Sequence, residues 1–134
     1  MKFTKVLAKT NRYALYTAYE DVFFYDELHK IEIWRRTMFG EAACGFISAS
    51  TDWAIVGGEY LLLWKNNQLK EFNKPELCWC HCIRQTDTNE VELLIDPWSK
   101  HAAIWKFNSA AETFEKLRDF KKYLNKPYTD TVVW

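Results

Sequence analysis

The sequence predicts a mainly β domain of the α+β class: an antiparallel β-meander forming a curved sheet or small barrel, with one C-terminal α-helix packed against it. Three observations lead there. Trp53-Ala-Ile-Val56 and Tyr60-Leu-Leu-Leu-Trp64 are apolar runs of strand length separated by Gly57-Gly58, a pair able to supply the positive φ angles of a tight hairpin. Aromatic residues make up 17% of the chain, and large rings suit a pleated, half-buried surface. Phe114, Leu117, Phe120 and Leu124 recur at three- and four-residue steps behind Ser109-Ala-Ala-Glu112. That is the form of a capping box followed by one apolar helical stripe.

The elements follow in order. Lys2 to Ala8 reads as a first strand, and Lys9-Thr10-Asn11 as a polar turn. Tyr13 to Tyr19 and Val22-Phe-Phe-Tyr25 are the next two strands, turned by Glu20-Asp21 and ended by Asp26-Glu27. Lys30 to Arg35 alternates polar and apolar, the period of a half-buried strand. Thr37 to Ala43 reads as a loop or short helix around Phe39-Gly40, before a strand at Cys44 to Ala49. Ser50-Thr51-Asp52 and Asn66-Asn67 are turns built from side chains that bond their own backbone or tolerate left-handed φ. Gln68 to Phe72, Glu76 to Arg84, Val91 to Ile95 and His101 to Phe107 complete the predicted meander, residues 2–107. The helix spans 109–124, with Lys121-Lys122 near the negative end of its dipole, Asn125 as its cap and Pro127 as its stop. Thr131 to Trp134 is offered as a last edge strand. A recurrence of apolar strand, polar turn and Trp-bearing strand runs through Trp34, Trp64 and Trp105. It has the rhythm of blades, yet 134 residues are too few for a closed propeller of four-stranded blades. The reading is therefore one domain over 1–134.

Composition excludes several function classes. Lys plus Arg equals Asp plus Glu at 18 each, without the basic surplus a nucleic-acid binder uses against phosphate. No run approaches the ~20 apolar residues of a membrane span, and Lys5 and Lys9 interrupt the N-terminal segment, so the expected location is cytoplasmic. Three of four cysteines crowd into Cys78-Trp-Cys80-His-Cys82, a poor disulfide framework. On a regular strand at ~3.3 Å per residue the outer two thiols stand about 13 Å apart, too far to share one zinc ion. The expectation is a row of small packed thiols and no metal or cofactor. His29, His81 and His101 are scattered, with no neighbouring group to tune them for acid–base work, and Gly57-Gly58 lacks the rest of a phosphate loop. No catalytic residue is predicted.

The acidic cluster Glu20, Asp21, Asp26 and Glu27 brackets an aromatic strand containing Phe24 and Tyr25. Two solvated turns are the simpler account. The functional account is a contact surface for a basic partner, with charge steering encounter and aromatics supplying binding energy.

Ser48-Ala-Ser-Thr-Asp-Trp-Ala-Ile-Val-Gly-Gly-Glu59, followed by the apolar strand ending at Trp64, resembles a segment of small bacterial immunity proteins. These are cytoplasmic single-domain inhibitors encoded beside polymorphic or contact-dependent toxins. The resemblance implies a stoichiometric inhibitor of a cognate toxin protein, and no functional residue carries over. The alternatives are a β-barrel enclosing a small apolar ligand and, third, an enzyme with an unrecognised site. A long aromatic edge strand also offers a route to a homodimer.

Overall fold

The computed structural model describes residues 2–134; Met1 lies outside the described residues. It holds three four-stranded antiparallel sheets rather than one curved sheet or barrel. The first contains β1 (Lys5–Lys9), β2 (Tyr13–Ala18), β3 (Asp21–Asp26) and β4 (Ile31–Thr37). The second contains β5 (Cys44–Ile47), β6 (Trp53–Gly57), β7 (Leu61–Lys65) and β8 (Gln68–Phe72). The third contains β9 (Cys80–Asp87), β10 (Glu90–Ile95), β11 (Ala103–Asn108) and β12 (Thr113–Asp119), after a 3-10 turn at Pro75–Leu77. Within each sheet the spatial order is the chain order.

The sheets stack face to face in series, because the middle one is apolar on both sides. Ala54, Val56 and Leu62 face the first sheet with Leu15, Val22 and Phe24. Trp53, Ile55, Leu61 and Leu63 face the third with Val91, Leu93, Ile95 and Phe107. A strand buried on both faces needs no polar alternation, which explains the unbroken runs at 53–56 and 60–64. Each fully buried Leu or Phe contributes about 1.5–3 kcal/mol. The opening strands β1, β5 and β9 come together along one inner edge, and the sheets fan outward from it as blades. Closed propellers repeat such blades four to eight times; this chain has three, in an open arc.

Two turn expectations resolve differently. Asn66 and Asn67 both sit at positive φ, 53° and 59°, as a type I′ hairpin requires. Gly57 and Gly58 do form the β6–β7 turn region, but neither is among the positive-φ residues. They are glycines for space. A Cβ on Gly57 would stand 2.7 Å from Cys80 Cβ and 2.8 Å from Cys44 Sγ, and one on Gly58 would stand 2.8 Å from Met38 Sδ.

The predicted helix at 109–124 is absent. Ser109 does not cap: its amide and hydroxyl both donate to the Asn89 carbonyl, at 2.8 and 3.2 Å. Glu112 takes φ +55° in the turn, and Thr113–Asp119 pairs with β11, Phe114 opposite Phe107. Pairing and the packing of Phe114 on Phe107 and Phe72 override local helix propensity. The helical period has a simple source. A register shift between Ile104 and Trp105 leaves Leu117 unpaired, since Lys116 pairs with Trp105 and Arg118 with Ile104. A bulge of this kind breaks the period of two. Asn125 is left-handed, at φ +62°, but closes a turn rather than a helix.

Residues 131–134 are not a strand. The segment after β12 instead crosses the outer face of the third blade. Trp98 Nε1 donates to the Pro127 carbonyl at 3.3 Å, and Arg84 both bonds the main-chain oxygen of Trp134 and lies 4.0 Å from its ring centroid. The strand predicted from Glu76 starts only at Cys80, because the 3-10 turn and a left-handed Trp79 (φ +63°) precede it.

Candidate functional site

β3 separates the two acidic pairs, and its ends, Asp21 and Asp26, lie about 17 Å apart. Glu20 stands in the β2–β3 turn, where its Oε2 accepts from the Gly40 amide at 2.6 Å. Asp21 opens β3 and accepts from the Thr37 hydroxyl. Phe24 is wholly buried between Tyr13, Trp34 and Trp64. Tyr25 lies on the other face of the first blade with Phe3 and Tyr16. Asp26 and Glu27 are at the far end of the blade. Asp26 holds that end together, accepting from the Arg12 guanidinium at 2.8 Å, from the amides of Leu28 and His29, and pairing with His29 Nδ1 at 2.9 Å. The Arg12 hydrogen bond, with His29 second, keeps its carboxyl well below the usual carboxylate range. Glu27 accepts from the Tyr16 hydroxyl, and this bond pushes the phenol up to about 12. The structure thus keeps Glu20 and Asp21 together, separates them from Asp26 and Glu27, and withdraws Phe24 into the core.

What gathers beside Glu20 is a different set. The β4–β5 loop presents Phe39, 72% exposed, and the segment before β9 presents Trp79, 44% exposed. Glu59 Oε1 accepts from the Phe39 amide at 2.7 Å, as Glu20 does from Gly40. Gly40, at φ +77°, lies against the Trp79 ring, 3.6 Å from where its Cβ would be. Trp79 is itself pinned: its amide donates to the Gly58 carbonyl at 2.6 Å and its carbonyl accepts from the Asp96 amide at 3.0 Å. Contacts from Glu20, Gly58, Glu59 and Asp96, drawn from all three blades, therefore fix the backbone that carries two exposed rings.

Beside Trp79 opens a cavity of about 210 Å³ lined by Glu41, Asp96, His81, Cys80 and the small Gly58 and Ala43. Glu41 accepts from the buried Thr17 hydroxyl at 3.1 Å. Burial lowers the His81 pKa, opposed by Asp96 and aided by Lys5, which favours the neutral imidazole. Glu59 and Glu76 both help to raise the Cys78 thiol behind its burial, which places their charge at the same end. Lys5 lies at the inner edge, its Nζ on the Ala43 carbonyl at 3.3 Å. This end is thus a face of carboxylates around two exposed aromatic rings. In physical terms it can take up a cationic, partly apolar surface by charge and cation–π contact.

The thiol row does not form. Cys78 lies outside the strand, bonded to the Lys74 carbonyl, and Cys80 faces the second blade, where Cys44 Sγ is 3.7 Å from its own sulfur. Among the described residues no group of three or more His, Cys, Asp or Glu could hold a metal ion, and no helix is long and apolar enough to cross a membrane.

Neither protein-family models nor curated protein sequences match the chain. Among solved structures it is similar to Kuenenia stuttgartiensis hydrazine synthase, with a TM-score of 0.57 and 13% identity over 83% of this chain. The match covers 36% of that chain, so this one spans little more than a third of its length. At such identity the likeness is one of fold.

Proposed function

We propose that the chain is a protein-binding module and that its partner is a toxin domain presenting a basic surface, which it neutralises by stoichiometric contact. The observation that supports the binding role is that Phe39 and Trp79 are exposed on hydrogen-bonded backbone among Glu20, Glu41, Glu59 and Asp96. Exposed aromatic side chains on an ordered backbone supply much of the energy of protein interfaces, and surrounding carboxylates select a basic partner. The resemblance of Ser48 to Trp64 to immunity-protein segments supports the toxin as that partner. The ligand-enclosing barrel has no counterpart in three separate sheets with packed faces. The test is co-purification with products of neighbouring genes, followed by co-expression. Recovery of one stoichiometric protein whose toxicity this chain suppresses is expected. Recovery of none, or of a partner whose toxicity is unaffected, overturns the toxin reading.

A further inference from the structure

We propose that Cys44 and Cys80 are an oxidative modification site, closing under a low-molecular-weight disulfide into a cross-link between β5 and β9. The two sulfurs belong to the inner strands of adjacent blades and lie 3.7 Å apart, with the Cys44 thiol also donating to the Cys80 carbonyl at 3.4 Å. A disulfide needs about 2.05 Å, so closure asks for roughly 1.7 Å of approach, shared between two side-chain rotations. Gly57 makes the meeting possible, since any Cβ there would overlap Cys80 Cβ and Cys44 Sγ. The other thiols are placed elsewhere: Cys78 is bonded to the Lys74 carbonyl, and it is the carbonyl of Cys82 that accepts from the Cys80 thiol, at 3.4 Å.

Their exposure gives the two cysteines different roles. Cys44 is half-buried as a residue, with its thiol packed on Cys80, whereas Cys80 is fully buried, so the oxidant meets Cys44 first, on local opening at β5. The Cys44 thiolate attacks one sulfur of oxidised glutathione, forming a mixed disulfide and releasing one glutathione thiolate. The Cys80 thiolate then attacks the Cys44 sulfur, releasing the second glutathione. The two protein thiols lose two electrons and two protons, and the oxidant is reduced to two thiols. Burial and the Cys80 neighbour hold the Cys44 thiol well above its ordinary value, partly opposed by Lys5. The first step is therefore slow at neutral pH and quickens as the pH rises.

The experiment incubates the full chain with oxidised glutathione at about pH 8, alkylates what remains and maps the linked peptides by mass. The expected product is a chain lighter by two hydrogens, cross-linked Cys44 to Cys80, with Cys78 and Cys82 alkylated. Its Tm should rise by up to roughly 10 °C, because the link closes a long loop of the unfolded chain, and dithiothreitol should reverse the shift. Cys44→Ser and Cys80→Ser should each abolish the product, but the wild-type map decides alone if either fails to fold. A different pairing, a persistent glutathione adduct on Cys44, or four alkylated cysteines after prolonged oxidation would overturn the proposal.

Discussion

Gly57→Ala probes how closely the second and third blades approach. Local reasoning gives it one sign. Gly57 is not at positive φ, so alanine fits the backbone and, by restricting the unfolded chain, should stabilise by about 0.4–1 kcal/mol. Packing gives the other. The new methyl would sit 2.7 Å from Cys80 Cβ and 2.8 Å from Cys44 Sγ, and Cys80 Cβ cannot rotate away because it is fixed to its own backbone. Relief requires β6 or β9 to move, an overpacking cost of about 1–3 kcal/mol. The net is a loss of about 1–2 kcal/mol. For a chain of this size each kcal/mol moves Tm by roughly 3.5 °C, so thermal unfolding should shift down by roughly 4–7 °C. Adding Cys44→Ala removes the sulfur contact but not the Cβ contact, and should restore only part of the loss. Gly57→Ala at or above wild-type stability would refute the close approach of the inner strands.

Three further outcomes follow from the same geometry. Phe107 is fully buried among Trp53, Phe72 and Phe114, so Phe107→Ala should cost about 3–5 kcal/mol in urea denaturation; a loss under 1 kcal/mol would contradict the packing of the second and third blades. Because Asp26 titrates below its unfolded value of about 4, the stability it contributes is complete above that pH and lost as pH falls toward its folded value. Asp26→Asn should therefore lower Tm at pH 7 and flatten its decline below about pH 4; an unchanged acid limb would show that the Arg12 and His29 contacts are not made. Ultraviolet titration should show a phenol ionising near 12, and Glu27→Gln should bring it back toward the ordinary value, since the Glu27 hydrogen bond is the main cause of the shift. A titration curve unaltered by Glu27→Gln would separate Tyr16 from Glu27.

How far the sequence could be read depended on whether its signals were local. The hairpin at 53–64 and the Asn66-Asn67 turn rest on neighbouring residues, and both are present. The unbroken apolar runs already encoded a sheet buried on both faces, but one side of that burial comes from Leu15 and Phe24 and the other from Leu93 and Phe107, long stretches of chain away. Periodicity cannot say what covers a face. The helix at 109–124 failed for a related reason: the bulge at Leu117 makes a strand imitate a three-residue step, and only pairing with β11 distinguishes them. Of the acidic-aromatic cluster, Glu20 belongs to the face described above, whereas Asp26 serves as an internal clamp. Phe39 was legible as a loop residue. Trp79 was not, since the alternation of Cys78, Cys80 and Cys82 implied a regular strand and hid the left-handed turn that exposes its ring.

The most direct test of the central claim is the affinity of the purified chain for its co-purified partner, comparing Trp79→Ala with Leu28→Ala. Both residues are exposed, but Leu28 stands at the far end of the first blade, beside Asp26. Loss of a central aromatic anchor costs about 2 kcal/mol or more, roughly 30-fold in Kd, and a contact steered by carboxylates weakens as salt rises. The expected result is a loss of that size for Trp79→Ala, little change for Leu28→Ala, and weaker binding in high salt. Unchanged affinity for Trp79→Ala with a clear loss for Leu28→Ala would move the interface to the opposite end and contradict the account.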